Sequence, residues 1–203
     1  MKKTFIFMTT IIIAFSLTAC NLFGPSPDEV ATDFLTSVQK GDWEKASKYV
    51  NNKDSKKTLK ELTSSKDEET KFIQDIFKKM SFTVGKVNEA DKKATVESTI
   101  KTVDTKIILG TIIQEAMQEA LTQAFSGEET DDAAVEKEMT NKLIAGVNEP
   151  SAKKVTNKVK INLVKVNGDW KVDVDQELLN ALTGGLTSIG EEMEGNKLNP
   201  FGK

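Results

Sequence analysis

The hydrophobic period of the chain changes four times between Ser26 and Leu182, and each change restricts the fold. Val30, Ala31, Phe34, Leu35 and Val38 recur at three- and four-residue spacing, which places them on one helical face. Ser26-Pro27-Asp28-Glu29 supplies a cap, a first-position proline and a capping box ahead of them, and Gly41 supplies a stop. Asp42 caps a second, shorter helix with Trp43, Ala46, Tyr49 and Val50 inward. Residues 51–64 are polar and lysine-rich, with only Leu59 and Leu62 to bury, and read as a loop holding one helical turn. Ser65 and Glu68 repeat the capping-box spacing before a third helix that carries Phe72, Ile73, Ile76, Phe77 and Met80.

Period two then takes over. Phe82, Val84 and, after Gly85, Val87 suggest a strand, and residues 88–92 form a polar turn. Ala94, Val96, Ser98 and Ile100 alternate with Thr95, Glu97, Thr99 and Lys101, as in a half-buried strand of an antiparallel pair. Between Ile107 and Phe125 the helical period returns, with Leu109, Ile112, Ile113, Met117 and Leu121 expected on one face. Gly127 and an acidic run precede a further helix with Val135, Met139 and Leu143. Strands come back with Val155, Val159, Ile161 and Leu163, and a phase slip at Val164 and Val166 reads as a bulge. Asn167-Gly168 is a two-residue hairpin turn, because both positions must take positive φ. Trp170, Val172 and Val174 then point inward, and Asp175 caps a last short helix with Leu178, Leu179 and Leu182. The expected architecture is α+β: N-terminal helices packed on a curved, cone-like antiparallel sheet, with a helical insertion at 107–147 between the two hairpins.

The first twenty residues follow a different logic. Met1-Lys2-Lys3 is a basic start, and Phe5 to Phe15 is an apolar core too short for a comfortable permanent span. It ends at Leu17-Thr18-Ala19-Cys20, which closely resembles the lipobox of bacterial lipoproteins, and Cys20 is the only cysteine. The resemblance implies a signal peptide at 1–19, cleavage before Cys20 and a diacylglyceryl group on its sulfur. With Lys2 and Lys3 removed, 26 lysines would face 31 acids, a mildly acidic mature chain. Residues 20–25 would be a tether of roughly 20 Å at full extension. A domain held so close to the membrane, without disulfides, fits the extracytoplasmic face of a single-membrane bacterium. Residues 26–189 form the single domain, and residues 190–203, with little to bury, an expected disordered tail.

Composition removes whole classes of chemistry. There is no histidine, and all 28 basic residues are lysine. Serine–histidine and cysteine–histidine catalysis and histidine-ligated metals are excluded, as is bidentate arginine recognition. The net charge of −3 argues against a nucleic-acid partner. No cofactor or metal site and no catalytic constellation is expected.

The run Phe34-Leu35 … Lys40-Gly41-Asp42-Trp43-Glu44-Lys45-Ala46, together with Asn167-Gly168-Asp169-Trp170-Lys171-Val172, resembles the nuclear transport factor two-like (cystatin-like) superfamily. The opening run is similar to a step found in that superfamily's small bacterial lipoproteins, often called lumazine-binding-like or domains of unknown function. The helical stretch 107–147 departs from the simple fold. The resemblance implies a sheet wrapped around a long helix, with a cavity at the open end.

Trp43, Tyr49 and Trp170 are the candidates for lining such a cavity, against an alternative in which the tryptophans anchor the core and Tyr49 lies along the surface. Glu128, Glu129, Asp131 and Asp132 could hold calcium, but they also suit a helix start, where the dipole favours acids. Asp173 and Asp175 share a strand face and could pair, but a hairpin turn, a strand exterior and a helix cap account more simply for Asp169, Asp173 and Asp175. The insertion reads as packing over the sheet or as a dimer surface. The function expected is a membrane-anchored, non-enzymatic binding or scaffold domain with an unidentified protein or small-molecule partner. The alternatives are a pocket that takes a small molecule and, last, a carboxylate-dependent enzyme.

Overall fold

The computed structural model describes residues 24–65, 67–126 and 132–189. The segment 1–19, Cys20, the tail 190–203 and the acidic run from Glu128 to Asp131 lie outside the described residues.

Four helices come first: α1 (Pro27–Lys40), α2 (Trp43–Tyr49), α3 (Lys53–Ser64) and α4 (Glu68–Lys78). Two long strands follow, β1 (Ser81–Ala90) and β2 (Lys93–Val103), then α5 (Thr105–Ser126) and α6 (Asp132–Asn148). Strands β3 (Lys154–Val166) and β4 (Asp169–Asp173) and helix α7 (Gln176–Leu182) complete the chain. The sheet is antiparallel in the order β1-β2-β3-β4, and the helices pack on its curved surface as an α+β fold. The insertion lies between the hairpins, as expected.

The start and stop signals operate as chemistry dictates. Ser26 and Glu29 form the capping box of α1, and Gly41 closes the helix with φ of 72°. The Asp42 carboxylate accepts from the Lys45 N–H at the start of α2. Asn167 and Gly168 take φ of 52° and 96° in the second hairpin turn.

Three expectations change. Residues 53–64 form a full helix, not a loop. Asn52 caps it, Lys57 and Glu61 pair one turn apart, and Leu59 and Leu62 rest on the core. None of its residues is fully buried, so its apolar pattern was too sparse to stand out. The cap of α4 is Asp67, which accepts from the Thr70 N–H at 2.7 Å. Ser65 instead donates its hydroxyl to the Asp67 carboxylate. The bulge lies in β1, where Gly85 and Lys86 oppose Glu97 between the Val84–Ser98 and Val87–Val96 pairs. β3 keeps an unbroken register with β2 from Lys154 to Val164. Val164 and Val166 are simply the outer-side residues of a strand that outruns its cover.

The core is one layer thick between helix and sheet. Helix α1 lays Val30, Phe34, Leu35 and Val38 against Val96, Ile100, Ile161, Leu163 and Val172. A second cluster forms where α4 meets the insertion, with Phe72, Ile76, Val103 and Val147 buried and Leu143 and Ile144 beside them. The helical hairpin is therefore rooted on α4 and the end of β2, and does not lie over the sheet.

Candidate functional site

Trp43 opens α2 directly after the Asp42 cap, and the short helix turns its ring inward, where it is 4% exposed. Its centroid lies 5.5 Å from that of Phe77, in a tilted pair. Trp170 follows the hairpin turn on the inward face of β4 and is equally buried. The Lys165 ammonium lies 5.0 Å from its ring centre, in a cation–π contact. Both tryptophans belong to one continuous core with Phe34, Leu35 and Leu163. They anchor the packing between the helices and the sheet.

Tyr49 behaves differently. It is half-buried at the end of α2 and donates its hydroxyl to the Asp33 carboxylate of α1 at 2.8 Å. Burial, then the Asp33 hydrogen bond and negative charge, push its phenol up to about 12. Its polar tip therefore joins two helices.

The acids serve similar local duties. Asp169 faces the Lys171 ammonium at 3.7 Å. Asp175 caps α7 through one oxygen, accepting from the Leu178 N–H at 2.8 Å, and accepts from the Asn162 amide through the other. Asp173 ends β4, paired across the ladder with Asn162. Asp132 opens α6.

An open groove of about 610 Å³ runs along the sheet beside the β1 bulge. Thr83, Glu97, Thr99, Lys158, Lys160 and Glu177 line it, so it is mixed in charge. None of the three aromatic candidates borders it.

The feature that sequence reading missed is on α5. The apolar residues expected to share a buried face are divided. Ile112 is buried, whereas Ile107, Met117, Leu121 and Phe125 are 44, 62, 61 and 91% exposed. The signal was present: the apolar residues of this helix are spread around its axis and not gathered on one face, so covering one side leaves others in water. On the covered side, the Lys142 ammonium of α6 meets Glu138 at 3.1 Å, Glu119 at 3.3 Å and Glu115 at 3.4 Å. These carboxylates, Glu138 first, hold the lysine well above its usual range. Among the described residues, no helix is long and apolar enough to cross a membrane.

No protein-family model matches the sequence, and no curated protein matches it. Among solved structures, a putative lipoprotein (ycdA) from Bacillus subtilis is similar at 17% identity and a TM-score of 0.39. The match covers 80% of this chain and 47% of that one, so this chain spans about half the length of the protein it resembles.

Proposed function

We propose that the chain is a lipid-anchored extracytoplasmic domain that binds or scaffolds a partner close to the membrane and performs no chemistry of its own. Leu17-Thr18-Ala19-Cys20 carries this reading, because the sole cysteine stands at the one position a lipobox requires. Two acyl chains, at ~0.8 kcal/mol per buried CH₂, hold such a protein stably where one would not. Helix α1 begins at Pro27, so the tether is short and the domain works near the lipid surface. Acids engaged in caps and ion pairs, on a chain without histidine, support leaving catalysis out. The filled interior around Trp43 and Trp170 supports a scaffold over a pocket for a small molecule. The order of helices and hairpins supports reading the fold as a variant of the nuclear transport factor two-like cone, with the helical hairpin added.

Metabolic labelling with a radioactive fatty acid tests the anchor. Wild-type protein should carry label and sediment with membranes. The Cys20→Ala variant should lose the label and appear in the soluble fraction. An unlabelled wild type would overturn the reading.

A further inference from the structure

We propose that the lysine stripe of α3 is a docking surface for an anionic lipid bilayer, and that it sets which side of the anchored domain lies against the membrane. Lys53, Lys56, Lys57 and Lys60 recur at helical spacing and, at ~100° per residue, fall within an arc of about 100°. Leu59 and Leu62, which rest on the core, lie on the other side of the helix, about 140° from the centre of that arc. Lys53, Lys57 and Lys60 are exposed, and Lys56 is half-buried. With Glu61 and Ser64 the four line an open trough of about 360 Å³.

Three observations point to a lipid surface as the occupant. First, helix stability does not account for the lysines. Spacings of three and four residues set Lys53 beside Lys56 and Lys57, and Lys60 beside the same two, so every neighbouring pair on the stripe repels. Lys53 and Lys56 stand in the first turn of α3, where the dipole disfavours positive charge, and its last turn holds no basic residue. Glu61 relieves one lysine, meeting the Lys57 ammonium at 3.7 Å in water. Second, the stripe has nothing apolar on it. Between Thr63 and Glu61 at its borders, the arc holds the four lysines and Ser64. A protein partner takes its affinity from buried aromatic and aliphatic anchors, which are missing here. Lysine is a compact, strongly hydrated charge on a flexible stem, which suits a headgroup layer that presents no fixed geometry. Third, the stripe is within reach, a step that rests on the reading of Cys20 as the lipid anchor. Residues 20–25 span at most roughly 20 Å, and α1 starts at Pro27. Helix α2 runs back along α1, and its Tyr49 is tied at 2.8 Å to Asp33 in the second turn of α1. Lys53 follows four residues later, so the stripe begins toward the end of α1 from which the tether leaves. A tethered patch needs little affinity of its own, because the anchor supplies the local concentration.

Full-length protein carrying Ser64→Cys, purified from native membranes and reconstituted into vesicles, tests the contact. A fluorescent maleimide on residue 64 should be quenched severalfold more by a nitroxide-headgroup lipid in vesicles of equal parts phosphatidylglycerol and phosphatidylcholine than in phosphatidylcholine alone. The excess should vanish in about 1 M salt, where the Debye length is only about 3 Å. The same dye on Thr156→Cys should stay unquenched in both, because Thr156 is exposed beside Lys101 on the sheet face opposite the buried one. Lys56→Gln with Lys60→Gln should lower the bound-to-free ratio read from the quenching by about fivefold per lysine. The urea midpoint of that double variant should hold or rise, since like charges have been removed. Equal quenching on neutral and anionic vesicles, a signal indifferent to salt, or a double variant that matches its Ser64→Cys parent would overturn the proposal. So would a dye that responds to soluble polyphosphate and not to anionic vesicles. The wild type reports the anchor separately, because lipid on Cys20 blocks its sole thiol. A wild type that takes the maleimide refutes the anchor. The stripe is then judged on the Cys20→Ala, Ser64→Cys chain: sedimentation with anionic vesicles alone upholds it, and sedimentation with both kinds or neither overturns it.

Discussion

At the scale of single residues, polar atoms decide how the elements join. Tyr49 is the clearest case. Its hydroxyl ties α2 to α1 through Asp33, and its raised phenol has a consequence for alkaline stability. The unfolded phenol releases its proton near pH 10, whereas the folded one holds it to about 12. Between these values the unfolded state binds fewer protons than the folded state, so stability falls as pH rises. The contribution is fully present below pH 10 and gone above the folded value. Tyr49→Phe removes one hydrogen bond and should cost up to about 1 kcal/mol at neutral pH. It should also flatten the loss of stability between pH 10 and 12, which urea unfolding at stepped pH would reveal. A variant as steep as wild type would mean that another group titrates there. Gly184 shows the opposite constraint. Its φ is 67°, and a Cβ there would lie 1.9 Å from the Val103 carbonyl oxygen. Only glycine permits that approach, which seats Thr105 to donate to the Thr183 and Gly184 carbonyls at 2.9 Å.

Among elements, legibility followed the strength of the local signal. The caps of α1, α2 and α7 and the Asn167-Gly168 turn act on neighbours within a few residues, and they lie where the sequence places them. Helix α3 was not legible because its fixation comes from two leucines meeting a core that sequence spacing cannot locate. The β1 bulge was equally hidden, since Gly85 could have broken the strand or bent it. Helix α7 joins local and distant control, because the Asp175 carboxylate caps it and also grips Asn162 of β3. Asp175→Ala should therefore cost more than a simple cap, about 1–2 kcal/mol. Asp175→Asn should recover much of that loss, because an amide oxygen can still accept at the helix start. Chemical denaturation of the two variants measures both. Equal losses would show that charge, rather than cap geometry, holds the helix.

For the whole molecule, cover is uneven. Strands β2 and β3 pair along eleven residues with helices packed on the face that carries Val96, Ile100 and Ile161. Among the described residues, the helical hairpin is held at its root, by the cluster around Val147, by Asn148 donating its amide to Asp75 at 2.9 Å and by the Thr105 hydroxyl at the start of α5. Amide hydrogen exchange should be slowest at the centres of β2 and β3 and faster by orders of magnitude beyond Met117 in α5. Uniform protection along α5 in dilute protein would contradict that gradient. The sequence by itself determined the class of fold, the order of its elements, most of its caps and turns and the excluded chemistries. Each of these rests on period, local hydrogen bonding or residue chemistry. It also identified Cys20 as the expected anchor, because a lipobox is a linear signal. Only the tertiary structure decided that Trp43 and Trp170 are core, that Tyr49 is a tie between helices, and that α5 leaves an apolar face uncovered. Burial is a property of what lies opposite a side chain. A helix whose apolar residues are spread around its axis does not state which side its own chain will cover.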